Sequence, residues 1–183
     1  MEEKQIGDHI LKLIESAKAG NAEAFGELYG FFKQDLFAIA YYYTGRTSDA
    51  EDAVQDAALD AFKQIGSIRE SSSFKQWIIA ILVAKCKKKR KDYVKENKNV
   101  PIDEFYIRND IVKQQWDETM VDDCISINLA LNRLKPEERM IVVLSTVLGY
   151  SSQEIGSAMK KSSGTIRSKQ SRALSKMKEY MQG

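Results

Sequence analysis

The chain has one histidine, two cysteines and two prolines among 183 residues. With His9 as the sole histidine, no recognisable zinc-binding spacing is available. Cys86 and Cys124 read as reduced thiols in helix-like settings, with a single pairing between them as the alternative. The sequence also lacks a nucleophile elbow and a phosphate-binding glycine loop. An enzyme would therefore have no mechanism here, and neither a metal, a cofactor nor a small-molecule substrate is expected. No run of about 18 apolar residues occurs, so no membrane span is expected. The N-terminus is polar and acidic and has no apolar signal-peptide segment, which predicts a cytoplasmic protein. Few prolines and little strand-like alternation predict an all-α chain.

What is present is a large apolar fraction and a segregated charge. Hydrophobic residues make up 43% and charged residues 30%, with a net charge of only +2. The near-balance hides an acidic stretch and two basic ones. An amphipathic helix is predicted over Ile6, Ile10, Leu13, Ile14 and Ala17. A longer one follows, capped by Asn21 and running to Tyr43. Ser48 and Glu51 have the spacing of a capping box for the next helix. That helix carries Asp49, Glu51, Asp52, Asp56 and Asp60. Acids in a first turn favour the helix dipole, but this face continues further and resembles a docking surface for a basic partner.

A polar loop, Gly66 to Ser73, precedes Phe74, Trp77 and an apolar run. The run then becomes basic, with Lys85, Lys87, Lys88, Lys89, Arg90 and Lys91. Such a helix calls for a polyanion to offset its self-repulsion, and DNA would serve. The hydroxyl-rich loop beside Phe74 and Trp77 suits a single unstacked base. From Glu96 to Asp123 the periodicity fades, which predicts a flexible connection with a short helical piece at Ile111–Trp116. The chain therefore divides into 1–95, a linker 96–123, and 124–183. Asp122 or Asp123 opens the second module, Pro136 restarts it, and Met140–Leu148 forms its core.

The last segment, Tyr150 to Met181, reads as a helix-turn-helix. Ser151 and Glu154 make a capping box, Gly156 permits close approach, and Ser162 or Ser163 caps the second helix. Ile166, Ala173, Leu174, Met177 and Met181 form that helix's apolar side. Its other side shows Arg167, Ser168, Lys169, Ser171 and Arg172, which suits a DNA major groove. A classical dimeric helix-turn-helix regulator is the competing reading. The acidic helix and the second basic helix argue against it.

In their order along the chain, these blocks resemble the bacterial extracytoplasmic-function (group 4) sigma factors of RNA polymerase. Thr47 to Asp56 looks like region 2.2, Ser73-Phe74-Lys75-Gln76-Trp77 and the basic helix like regions 2.3 and 2.4. Leu131 to Arg139 is similar to the start of region 4.1, and Tyr150 to Met181 looks like region 4.2. The resemblance implies an all-α protein with two small helical domains, sigma region 2 and sigma region 4, joined by a flexible linker. It implies a stress-response transcription initiation factor that binds core polymerase and selects promoters through minus-10 and minus-35 elements. Asp49, Asp52, Gln55 and Asp56 would meet the β′ clamp helices, and the second domain the β flap. Ser71, Ser72, Ser73 and Phe74 would capture a minus-10 base, with Trp77 beside them. Lys85, Lys88, Lys89 and Lys91 would track the DNA backbone. Arg167, Ser168, Ser171 and Arg172 would read the minus-35 element, while Thr165 and Lys169 meet phosphates. The family further implies an anti-sigma factor, often one anchored in a membrane. Lys161-Ser162, Gly156, Gln170 and Ser171 depart from the usual pattern around the recognition helix.

Overall fold

The computed structural model describes residues 2–96, 127 and 129–182, whose regular structure is entirely helical. Four helices build the first module: α1 (Glu2–Lys18), α2 (Ala22–Thr44), α3 (Thr47–Gln64) and α4 (Phe74–Glu96). Two 3₁₀ turns, Ile65–Ser67 and Ser71–Ser73, connect α3 to α4. The second module contains α5 (Pro136–Val142), a π-helical turn (Val143–Val147), α6 (Ser152–Met159) and α7 (Ser163–Gln182). The expected linker, beyond Glu96, lies outside the described residues. So do the helical piece at Ile111–Trp116 and the opening of the second module at Asp122 or Asp123.

Local chemistry fixes most helix ends. The Asn21 side chain accepts a hydrogen bond from the Ala24 amide at 3.0 Å. Gly45 ends α2 with a φ of 75°, and its amide reaches the Tyr41 carbonyl at 2.8 Å. Pro136 occupies the first turn of α5, where a missing N–H costs nothing. The capping box expected at Ser48 and Glu51 does not form. α3 starts earlier, at Thr47, with Arg46 as its cap residue, so Ser48 already lies inside the helix. The Thr44 hydroxyl donates to the carbonyls of Ala40 and Arg46, closing the corner before Ser48 is reached.

Two modules are present, but the expectation that they hang loosely from a tether is not met by the described residues. α2 packs on α5 and α4 packs on α6, and a single buried cluster runs through both modules. Leu28, Leu36, Ile39, Ile78 and Leu82 contribute from the first module, Met140, Ile141, Leu144 and Ile155 from the second. Burying such side chains stabilises by roughly 1.5–3 kcal/mol each, which makes the shared core the main cohesive force.

Arg139 lies in this junction with 1% of its surface exposed. Its guanidinium donates to the carbonyls of Leu131 (3.0 Å), Leu134 (3.3 Å) and Tyr42 (3.3 Å). Three bonds on one planar fork offset part of the cost of burying a charge. Burial still pulls its pKa down to about 10, and the nearby Arg90 charge acts in the same direction. Two further contacts cross the junction. Gln76 donates to Glu154 at 3.1 Å, and the Lys75 ammonium lies 4.1 Å from the Tyr150 ring centroid.

Candidate nucleic-acid interface

The helix-turn-helix forms as its chemistry dictates. The Ser151 hydroxyl accepts from the Glu154 amide at 3.3 Å, and the Glu154 carboxylate accepts from the Ser151 amide at 2.8 Å. Lys160 closes α6 in the left-handed region, with a φ of 56°. A Cβ on Gly156 would stand 2.6 Å from the Lys161 carbonyl oxygen, so this turn has no room for a side chain there. Ser162 caps α7 by accepting from the Thr165 amide at 3.1 Å.

α7 buries Ile166 and Ala173 and half-buries Met177. Leu174 and Met181, expected on the same apolar side, are exposed. The helix outruns the surface it packs on, so its distal apolar residues have nothing to cover them. Arg167, Ser168, Ser171 and Arg172 are all exposed, at the i, i+1, i+4, i+5 spacing of a single face. Arg167 reaches the Ser152 hydroxyl at 3.3 Å, and Arg172 Nε reaches the Ser168 carbonyl at 3.2 Å. Thr165 is exposed and pairs with the Ser162 hydroxyl at 2.8 Å. Lys169 turns inward instead, to Glu137 at 2.9 Å, where Lys161 also binds at 3.0 Å. Lys176 likewise binds Glu138 at 3.0 Å. These pairs fasten α7 to α5 and take Lys169 off the open face.

The basic helix of the first module behaves differently. Lys85 is paired with Asp60, and Lys89 with Asp52 at 2.8 Å. Asp52 raises the Lys89 pKa through that hydrogen bond, and the bond from Lys85 lowers the Asp60 pKa. Lys88 and Lys91 are exposed. A polar groove of about 390 Å³ follows, lined by Arg46, Asp49, Asp56, Lys85, Lys88 and Lys89 among others. The polyanion inferred from the sequence is thus partly replaced, within the chain, by the acids of α3. Pairing across α3 and α4 joins residues dozens of positions apart, which local pattern does not reveal. Asp52 and Gln55 stay exposed on the outer face, and Asp49 and Asp56 are half-buried.

The loop at 71–73 stands over α4. Ser72 is exposed, while Ser71 and Ser73 are half-buried. Phe74 has 1% of its surface exposed and packs on Phe32 and Trp77, with ring centroids 5.4 Å and 5.8 Å away. It anchors the loop from below and has no free face to stack on a base. Trp77 is half-buried beside it.

One site residue escaped the sequence reading. Glu15 of α1 accepts a hydrogen bond from Ser71, across 56 residues of chain. Among the described residues no helix is long and apolar enough to cross a membrane, and no cluster of metal-ligating side chains occurs.

A helix-turn-helix with an open basic face, joined to a second module with its own basic helix and hydroxyl-rich loop, defines a two-point DNA-binding protein of the transcription machinery. Residues 28–96 match the family described as Sigma-70 region 2, and residues 125–177 match Sigma-70, region 4. The chain is 28% identical over 166 residues to the ECF RNA polymerase sigma factor SigM of Mycobacterium tuberculosis, covering 91% of this chain and 81% of that protein. Its structure is similar to the sigma factor RpoE in complex with the anti-sigma factor NepR from Bartonella quintana, with TM-score 0.69 and 25% identity, covering 88% of this chain and 98% of that one. It shares the fold of CnrH, solved with the cytosolic domain of CnrY, with TM-score 0.70 and 19% identity over 95% and 97% of the two chains. The chain belongs to the sigma-70 family of RNA polymerase sigma factors, in its extracytoplasmic-function group. It is a transcription initiation factor that directs polymerase to promoters, and it is not an enzyme.

Proposed function

We propose that the work is divided among three surfaces of this chain. Arg167, Ser168, Ser171 and Arg172 on α7 read the minus-35 element in the major groove, with Thr165 on a phosphate. Ser71–Ser73 on its Phe74 platform, together with Trp77, holds an unstacked minus-10 base, and Lys88 and Lys91 follow the backbone. Asp49, Asp52, Gln55 and Asp56 on α3 dock on the β′ clamp helices, and the second module on the β flap. Lys89 joins the DNA track once Asp52 is engaged by the clamp helices, and Lys85 joins it by exchanging Asp60 for a phosphate. The observation that carries this reading is the separation of surfaces. The open arginine face lies on one module, and the loop, lysines and acids lie on the other.

An anti-sigma factor, itself membrane-anchored, would hold the chain at the inner face of the membrane. An apolar groove of about 980 Å³, lined by Phe25, Phe37, Leu59, Phe62 and, from the second module, Val147, supports a partner helix, though not its anchoring. A helix seated there would touch both modules at once.

The decisive experiment is transcription in vitro. The purified chain and bacterial core polymerase are incubated with a pool of random promoter fragments, and start sites are sequenced. Specific starts that require this chain, sharing two elements, are the expected result. Tight binding of duplex DNA by the chain alone, without such starts, would overturn it. In a separate pull-down, Asp52→Ala with Asp56→Ala should weaken co-purification with polymerase at unchanged helix content.

A further inference from the structure

The base-holding loop is tied to a helix that the three-surface reading leaves idle. α1 is anchored through buried Leu13, Ile14 and Ala17, and it packs on the 3₁₀ turn Ile65–Ser67 and on the 71–73 loop itself. From this fixed helix Glu15 projects toward the loop. Its Oε1 accepts from the Ser71 hydroxyl and from Lys18 Nζ at 3.2 Å. The Ser71 bond is the foremost cause that holds the Glu15 carboxyl below the ordinary glutamate value. The loop ends are fixed as well, by buried Ile68 and Phe74.

The hydrogen bonds set the loop's polarity. A serine hydroxyl has one proton to donate and lone pairs to accept. Ser71 gives its proton to Glu15, and Ser73 gives its proton to the Glu70 carbonyl at 2.7 Å. Both hydroxyls therefore present only lone pairs to anything approaching from outside. The Glu15 carboxylate adds negative potential behind them. At Ser71 and Ser73 the loop therefore favours donors on an incoming base. Adenine, cytosine and guanine each offer an exocyclic amino group on the Watson–Crick edge. Thymine offers a single ring N–H between two carbonyls, which the same lone pairs repel.

We infer that Glu15 is a positioning residue for base selection. By holding the Ser71 proton inward, it makes the 71–73 loop prefer an unstacked base with an exocyclic amino group over thymine. The inference rests on the minus-10 role proposed for the loop.

The test uses the full chain with core polymerase on a promoter obtained by start-site sequencing, with the unstacked position varied through every base. The wild type should favour adenine, cytosine and guanine over thymine by roughly five-fold, the value of one net hydrogen bond. Glu15→Ala frees the Ser71 proton and should shrink that ratio to about two-fold or less. Glu15→Gln keeps an acceptor oxygen and should restore it, which a merely structural loss would not. Wild-type preference for thymine would overturn the inference. So would a Glu15→Ala ratio equal to wild type while Ser71→Ala changes the ratio; the loop's minus-10 role would then survive without Glu15. If Ser71→Ala combined with Ser73→Ala also leaves base preference untouched, the minus-10 role of the loop falls, and the inference with it.

Discussion

The two basic surfaces differ in what their charges do before DNA arrives. On α4, Lys85 and Lys89 are engaged by Asp60 and Asp52 of α3. On α7, Arg167 and Arg172 have only a hydroxyl and a carbonyl as hydrogen-bond partners among the described residues. The α7 arginines are open to a polyanion, whereas on α4 Lys88 and Lys91 are open and Lys85 and Lys89 must first leave their carboxylates. The contrast suits the order of events in initiation. Duplex DNA exists from the outset, but an opened strand appears only after polymerase is in place. Asp52, proposed above to dock on the clamp helices, also masks Lys89, so on that proposal polymerase docking would free this lysine for the opened strand.

The largest expected effect concerns the junction that holds the two surfaces together. Arg139→Met removes a guanidinium that satisfies three carbonyls and leaves them buried. The loss should be about 3 kcal/mol or more, read as a lower urea midpoint. An unchanged midpoint would mean that the shared core alone holds the modules.

Next comes the open surface itself. Arg172→Ala should weaken minus-35 recognition by roughly 1–3 kcal/mol if its remaining donors meet a guanine edge. Footprinting on mutated promoters measures this, and an unchanged base preference would remove Arg172 from the reading set. The masked surface should respond in the opposite direction. Asp52→Asn with Asp60→Asn releases two lysines, so single-strand binding by the chain should become more salt-sensitive. The slope of log K against log salt should steepen by about 1.4. A slope equal to wild type would show that these ion pairs do not compete with nucleic acid.

The smallest effect is set by acid. The Glu154 carboxyl lies below the ordinary value of 4.5 because the Ser151 amide and hydroxyl bind its ionised form, with burial opposing and Gln76 assisting. A depressed folded value means that its contribution is complete above pH 4.5 and fades as pH falls through that depressed value. The Ser151 amide and the Gln76 side-chain amide should therefore shift together in an NMR titration below pH 4.5. Independent shifts would uncouple the α6 cap from the junction.

Features set by near neighbours were legible in the sequence. Asn21 as a cap, Pro136 as a restart, and the Ser151–Glu154 box each depend on residues within one turn. The same locality misled at Ser48, where the spacing is right but the Thr44 hydroxyl had already set the corner. It misled again at Leu174 and Met181, whose periodicity is helical although no neighbour covers them. Contacts that join distant segments were not legible. Arg139 reads as one more charge in the first turns of a helix, yet it bonds to a residue 97 positions away. Glu15 reads as a solvated acid of an opening helix. The partition of lysines into masked and open sets depends on which helices lie side by side, and composition along one strand of sequence does not encode that.

The π-helical turn at Val143–Val147 has a geometric consequence. Its wider loop carries the Leu148 amide to the Val143 carbonyl at 3.1 Å and folds the Tyr150 amide back to Leu144 at 2.8 Å. An α-helix advances by roughly 100° per residue, so one residue more or less in this turn re-aims everything after it. The bulge acts as a keyway: it sets the rotational phase at which α6, and with it α7, follows α5. In that phase Tyr150 meets Lys75 and Glu154 meets Gln76. Deleting a single residue here would turn the exposed arginine face of α7 toward a different side of the molecule.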